Sequence, residues 1–196
     1  MCNEQRRRIA LGQIREDWSQ TRIPLRFPEG LPNLAPLDSI RITDPNAIIR
    51  ASADAPGEAE LVVRRWSWPG PGGKPVYNFR SEGREFPSGR CLIVADGFYE
   101  FTAPADPKKK RKDKWLFTLK GEPWFCIAGL WRGHDQVGEA YTMLTTEPGA
   151  DVAPYHDRQV VVLPPRDWAR WLDPTVPAAE VLKPLPERSL EVEPVG

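Results

Sequence analysis

The sequence predicts an α+β, β-rich fold: a barrel-like, mostly antiparallel sheet with a few short helices. Three observations predict it. The chain has 196 residues, enough to bury a real core in one domain, and residues 1–196 show no internal repeat or linker. Its 22 prolines and 15 glycines interrupt long helices and mark frequent turns. Between those turns lie apolar runs too short for a helical bundle.

The elements follow in order. Residues 9–18 form a short amphipathic helix, because Ile9, Ala10, Ile14 and Trp18 recur at near-helical spacing. Residues 21–39 carry Pro24, Pro28, Pro32 and Pro36 and read as extended loop, since proline sits inside neither a helix nor a central strand. Residues 46–52 and 59–66 read as a hairpin joined by Ala53-Asp54-Ala55-Pro56-Gly57-Glu58. A loop with two tryptophans runs from Trp66 to Gly73, and residues 75–82 are extended. Residues 90–101 are apolar, a buried strand with a turn at Asp96-Gly97. Residues 108–112 form a basic run that reads as a solvated hairpin loop. Residues 115–119, 124–131 and 140–145 are successive antiparallel strands, and residues 160–163 are another. Residues 165–172 start a helix with proline in its first turn and Trp168, Trp171 and Leu172 on one face. A short helix and a last strand at residues 190–192 close the chain.

Composition narrows the function. The formal net charge is zero, so no bulk field directs the chain to a polyanion. From Asp173 onward there are five acidic and two basic residues, which leaves 25 basic against 22 acidic in the body. A modestly basic body is compatible with nucleic acid. Cys2, Cys91 and Cys126 are an odd set without a CxxC pair, which argues against a disulfide framework or metal site and for a reducing, cytoplasmic setting. Cys91 and Cys126 lie in apolar strands as core residues. No apolar run reaches membrane length, and Arg6-Arg7-Arg8 is not followed by the apolar stretch of a signal peptide. A monomer with no cofactor and no membrane partner is expected. Eight tryptophans exceed the needs of a core this size, so some are expected on a binding surface.

Met1-Cys2 is the first chemical candidate. Removal of Met1 leaves an amine and a thiol on one residue, a 1,2-aminothiol that condenses with an aldehyde to a thiazolidine. His156 and Arg158 stand two apart at the mouth of an apolar strand, so in extended chain they share a side, as a proton donor beside an anion clamp. A surface ion pair accounts for the same pattern. Asn78, Arg80 and Glu82 also alternate, either as a half-solvated strand or as the polar wall of a cleft. In the second case Arg80 holds a phosphate and Asn78 orients a small reactive group. Glu100, between Tyr99 and Phe101, suits acid–base work if desolvated, and is otherwise an edge residue in water. His134 sits in an exposed turn.

With these pieces the chain resembles the SOS response-associated peptidase (SRAP) family, the proteins that crosslink to abasic sites in single-stranded DNA. The resemblance rests on Met1-Cys2, Asn33-Leu34-Ala35-Pro36, the Trp66/Trp68 segment, residues 78–82, residues 90–100, Ala128-Gly129-Leu130-Trp131, Leu144-Thr145-Thr146 and residues 156–163. It implies Cys2 as the nucleophile of the covalent link, Asn78 beside it, Glu100 as acid–base catalyst and His156 as proton donor. It implies Arg80 and Arg158 as phosphate contacts, Trp66 and Trp68 as a stacking surface, and Pro36 and Thr146 as further contacts with the strand. Single-stranded DNA containing abasic sites is the implied partner. Asn3-Glu4 stands where relatives often have Gly-Arg, Phe101 where tryptophan is common, and Gln159-Val160 where Met-Pro is usual. Two other readings fit the same residues. One is a cysteine-type peptidase that removes its own Met1. The other is a non-catalytic module for single-stranded DNA.

Overall fold

The computed structural model describes residues 1–195. Its larger sheet is built around β4 (Pro45–Ala51), β5 (Ala59–Trp66), β9 (Arg90–Ala95), β12 (Phe125–Arg132) and β13 (Ala140–Thr146), in the order β13-β12-β9-β4-β5. β13 then turns back onto β5 in parallel, with Ala140 opposite Arg65 and Tyr141 opposite Trp66. That pairing closes the five strands into a ring, so the barrel-like sheet expected from the sequence is present and these strands keep no free edge. β8 (Asn78–Arg80) and β14 (Gln159–Val160) pair with β13, β15 (Val162–Leu163) with β12, and β2 (Leu25–Arg26) with β5. A second sheet has the order β16 (Leu190–Val195), β11 (Asp113–Leu119), β10 (Gly97–Thr102), β1 (Glu4–Arg7) and β3 (Leu37–Arg41). β6 (Trp68–Pro69) and β7 (Pro75–Val76) form a small ribbon.

Alternation along the strands sorts side chains into two cores. Ile48, Ile93, Ile127 and Met143 meet Phe98 and Phe117 between the two sheets. Ile49, Leu92, Val94, Cys126 and Leu144 face the other way, toward α1 (Leu11–Trp18), α2 (Pro165–Leu172) and α3 (Ala178–Val181). There Trp168 of α2 lies between Trp18 and Trp124, at 5.7 and 4.5 Å between ring centroids. Trp18, Trp66, Trp124, Trp168 and Trp171 are all fully buried. The surplus of tryptophans therefore serves the interior, contrary to the expectation of a tryptophan-lined surface. Large rings also supply much of the apolar area that drives folding.

Gly129, inside the Ala128–Trp131 motif, shows how closely the ring is packed. A Cβ there would meet Ile93 Cδ1 at 2.7 Å, Thr142 O at 2.9 Å and Cys91 Sγ at 3.1 Å. Gly129→Ala is expected to destabilise the fold by about 1–3 kcal/mol, read as a lower urea midpoint at unchanged slope.

Two features depart from the sequence reading. Residues 4–7 form β1, an interior strand without apolar alternation, and residues 37–41 form β3, which begins inside the stretch 21–39 expected to be loop. The turn expected at Asp96-Gly97 is a bend where the chain leaves one sheet as β9 and enters the other as β10. Asp96 binds the start of the chain there: its carboxylate accepts from Arg8 N, Ile9 N (2.9 Å) and Arg6 Nε (2.7 Å).

Candidate active site

β1 holds the amino end against β10. Arg6 pairs with Gly97 and Gln5 with Phe98 on one side, and Glu4 with Arg41 of β3 on the other. Because β1 is polar, buried hydrogen bonds fix its register. Gln5 Nε2 donates to Tyr141 Oη at 2.8 Å, Asn46 Nδ2 to Gln5 Oε1 at 3.1 Å, and Arg7 Nε to Asn46 Oδ1 at 2.9 Å. Groups buried this way are costly unless paired, so the network specifies one placement.

That placement brings Met1-Cys2 to the residues singled out in the sequence. The α-amine of Met1 lies 3.5 Å from Glu100 Oε2 and in contact with His156 Nε2. Asn78 Nδ2 donates to the carbonyl of Cys2 at 2.9 Å. Cys2 is fully buried, with Sγ 3.4 Å from the carbonyl of Glu4. Asn78, Glu100 and His156 come from β8, β10 and the loop before β14, far apart in sequence. Glu100, His156 and Met1 line a cavity of about 270 Å³ whose wall also includes Asn3, Phe101 and Lys112.

Burial sets the proton affinities. Glu100 is 1% exposed, and desolvation pushes its pKa up to about 7, against the pull of the adjacent amine. It is therefore poised to give or take a proton near neutrality. Burial, and then the charge of Glu100, raise the Cys2 thiol far above its usual range. His156 is shifted down by burial and by the nearby amine, so the ring is neutral at pH 7. The backbone N–H of Arg158 donates to His156 Nδ1 at 3.0 Å. Asp157 Oδ1 also lies 3.0 Å from Nδ1, while Nε2 faces the amine. Glu100 Oε1 and Asn78 Oδ1 are buried acceptors without a partner among the described residues. Such groups are exceptions in folded proteins and are frequent where a substrate donor is to be met.

A second cluster adjoins the first along β13, where Asn78 lies opposite Met143 and Arg80 opposite Thr145. Arg80 is exposed. Arg158 is buried and held bidentately by Glu82, with Nη2 also 2.9 Å from Thr145 Oγ1. Thr146, nearly buried, lines a shallow cavity with Ser81 and Glu82.

The structure places the remaining candidates as follows. Trp66 is fully buried, its Nε1 donating to Tyr77 O at 3.0 Å and its ring parallel to Tyr141. Trp68 is 7% exposed, under the guanidinium of Arg132. Neither presents a face to a base, because β5 and β6 direct both rings into the protein. Pro36 is exposed but lies beside Leu37, which pairs with Arg7. That is five residues along the chain from Cys2, roughly 17 Å at strand rise. His134 does occupy a turn, with Nε2 3.1 Å from Pro69 O. The site residues missed by sequence reasoning are Asn3, Phe101 and Lys112. The charge of Lys112 had been absorbed into the bland reading of the basic run. Asn3 and Phe101 enter the sequence reading only as departures from the family pattern.

No helix among the described residues is long and apolar enough to cross a membrane. No cluster of three or more potential metal ligands occurs among them.

Comparison with known proteins agrees with the geometry. Residues 75–196, more than half of the chain, match the model of the SOS response associated peptidase (SRAP) family. Abasic site processing protein YoaM of Bacillus subtilis is 35% identical over 107 residues, 52% of this chain and 45% of that protein. Abasic site processing protein YoqW of the same organism is 35% identical over 91 residues, 44% of this chain and 39% of that protein. The matched stretches thus span less than half the length of these relatives. Two solved structures share the fold. A protein from Bordetella bronchiseptica matches over 100% of both chains with a TM-score of 0.69 at 23% identity. One from Bacteroides thetaiotaomicron matches over 100% of this chain and 92% of its own, with a TM-score of 0.75 at 15% identity. With a family match over more than half its length and the fold shared end to end, the chain belongs to the SRAP family.

Proposed function

We propose that this protein processes abasic sites in single-stranded DNA by forming a thiazolidine between the sugar and Cys2, after loss of Met1. One observation carries the reading. The amino end of the chain is held where a buried carboxylic acid with a pKa of about 7, a neutral histidine and an amide converge on it. The abasic relatives supply the substrate class.

An abasic site exists partly as a ring-opened deoxyribose with an aldehyde at C1′. His156, beside the amino end of the chain, assists ring opening by proton transfer. The freed amine of Cys2 adds to C1′, forming the C–N bond, and the carbonyl oxygen takes a proton. Glu100 moves the protons as water leaves and an imine forms. Cys2 Sγ then adds to C1′, and the thiol proton passes to the imine nitrogen. One water is lost in all, and neither oxidant nor reductant is needed. The thiol stays protonated until it reacts, so Glu100 also serves this step as base. The unpartnered oxygens of Glu100 and Asn78 are available to the sugar hydroxyls. Ring closure is intramolecular, with effective molarities on the order of 10⁵ M or more. It therefore outruns β-elimination of the imine, which would cut the strand.

Incubation with an abasic single strand, followed by a denaturing gel, is expected to show a covalent complex. Intact mass is expected to show loss of Met1 from the competent molecules. Absence of a complex with protein of the shortened mass would overturn the reading. Because Glu82 occupies Arg158, Glu82→Gln is expected to free that guanidinium and strengthen binding to an undamaged single strand by about two- to fivefold at low salt. An unchanged or weaker affinity in fluorescence anisotropy would remove Arg158 from the phosphate contacts.

A second reading is favoured by the grip of Glu100 and His156 on the Met1 amine: the same groups assist hydrolysis of the Met1–Cys2 bond. Protein made in a cell-free system lacking methionine aminopeptidase tests this. Slow loss of one methionine mass, absent in Glu100→Gln, is expected. Retention of Met1 by the unsubstituted protein would exclude self-removal while leaving crosslinking intact.

A further inference from the structure

The basic run at residues 108–112 was expected to be a solvated loop. In the structure it joins β10, the strand that carries Glu100, to β11. It walls one side of a cleft of about 700 Å³. Lys109, Arg111 and Lys112 come from the loop and Lys114 from β11, while Arg41 at the end of β3 faces them from the other wall. The cleft shares Asn3, Phe101 and Lys112 with the cavity at the amine, so the two open into each other.

The charge in this cleft is only partly answered. Lys109 pairs with Asp113, and Lys114 with Glu4 at 2.7 Å. Among the described residues, Arg41, Arg111 and Lys112 have no carboxylate within ion-pair distance, although the chain as a whole is neutral. Like charges gathered from two separate elements, left unpaired and set along a groove, focus a positive potential where a polyanion can lie. A solvated loop alone has no need of Arg41 on the opposite wall.

We propose that this cleft is a track for the sugar–phosphate backbone of the single strand on one side of the reacting sugar, with Arg41 and Arg111 as phosphate contacts on its two walls. The proposal rests on the crosslinking reading for the identity of the strand, and it adds a binding surface distinct from Arg80 and Arg158 on β8 and the loop before β14. The two surfaces flank the amine cavity, so a strand reaching the cavity meets cations on both sides of it.

The test uses the full-length protein and a labelled oligothymidine without damage, so it does not depend on covalent chemistry. Arg41→Gln/Arg111→Gln is expected to weaken binding about tenfold at low salt and to make the log–log salt dependence shallower by about 1.4, two contacts at about 0.7 each. Both positions are exposed, so the fold is not at risk, and a thermal melt checks this. A charge-matched control, Lys120→Gln/Arg166→Gln, removes two exposed cations from a separate cavity just past the far end of β11, roughly 23 Å from the loop at strand rise. It is expected to bind as the unsubstituted protein does. If the cleft variant keeps the original affinity and slope, or if the control loses as much, the track does not exist. If the unsubstituted protein binds oligothymidine but makes no adduct with an abasic strand, the crosslinking reading fails while the track is still judged by the same comparison.

Discussion

Cys2→Ala is expected to abolish the denaturant-stable DNA adduct, and Cys2→Ser to leave only an adduct that borohydride can trap. Both variants retain an amine once Met1 is gone, so both can form an imine with the abasic aldehyde. Only the thiol can close the sulfur-containing ring. Without that closure the imine is exposed to hydrolysis and to β-elimination, so strand cleavage is expected to rise as the stable adduct falls. The loss should be at least a hundredfold in adduct yield, given the advantage of oriented intramolecular closure. Cys2 is fully buried among apolar neighbours, so truncation to alanine also costs some stability, and a melt separates that from the chemistry. A denaturing gel reads all three species. A stable adduct at the original yield in Cys2→Ala would remove Cys2 from the mechanism.

Glu100→Gln is expected to slow crosslinking by about 10²–10⁴-fold and at the same time to stabilise the fold above neutral pH. The rate effect follows from the loss of the carboxylate that, among the described residues, contacts the amino end of the chain. In the unsubstituted protein the rate should bend near pH 7, where Glu100 titrates, and the bend should vanish in the variant. The stability effect has a definite sign. Glu100 holds its proton up to about pH 7 when folded but only to the ordinary carboxylate range when unfolded. Between those limits the folded state carries more protons, so stability falls as pH rises, and the loss is complete above the folded value. Glutamine does not ionise and escapes this loss. The variant should gain roughly 2–3 kcal/mol at pH 8 relative to its standing at pH 4, several degrees in Tm. A variant that is slow but no more stable at pH 8 would mean that Glu100 is not desolvated as the structure places it.

The legible and illegible parts of the chain differ for physical reasons. The hairpin of β4 and β5, the buried β9 and β12, and α2 announce themselves by period, because one face of each meets a core. β1 does not. Glu4, Gln5, Arg6 and Arg7 satisfy their burial with hydrogen bonds and ion pairs to Tyr141, Asn46, Asp96 and Lys114. Such partners are unknowable until the fold has gathered them. β3 was hidden by the prolines around it. Cys2, Asn78, Glu100 and His156 could be singled out because their chemistry is unusual for their local setting and because their order matched a family, and the fold places them near one another. Trp66 and Trp68 misled for the opposite reason: a tryptophan signals a large apolar surface equally well inside a core and at an interface. Whether Lys112 and Arg111 belonged to a loop or a groove depended on Arg41, about seventy positions away.

The interior position of β1 has a thermodynamic meaning. The first residues of a chain normally fray, and a nucleophile placed there would sample many conformations between encounters with its target. Here that segment is clamped between β10 and β3 and anchored through Asp96. Fixing a residue's backbone costs roughly 1–2 kcal/mol of conformational entropy. In this protein that cost falls on folding and is met by the whole sheet. On the proposed function, an incoming strand would therefore find the amino end already immobile, and its binding free energy would go to orienting the sugar.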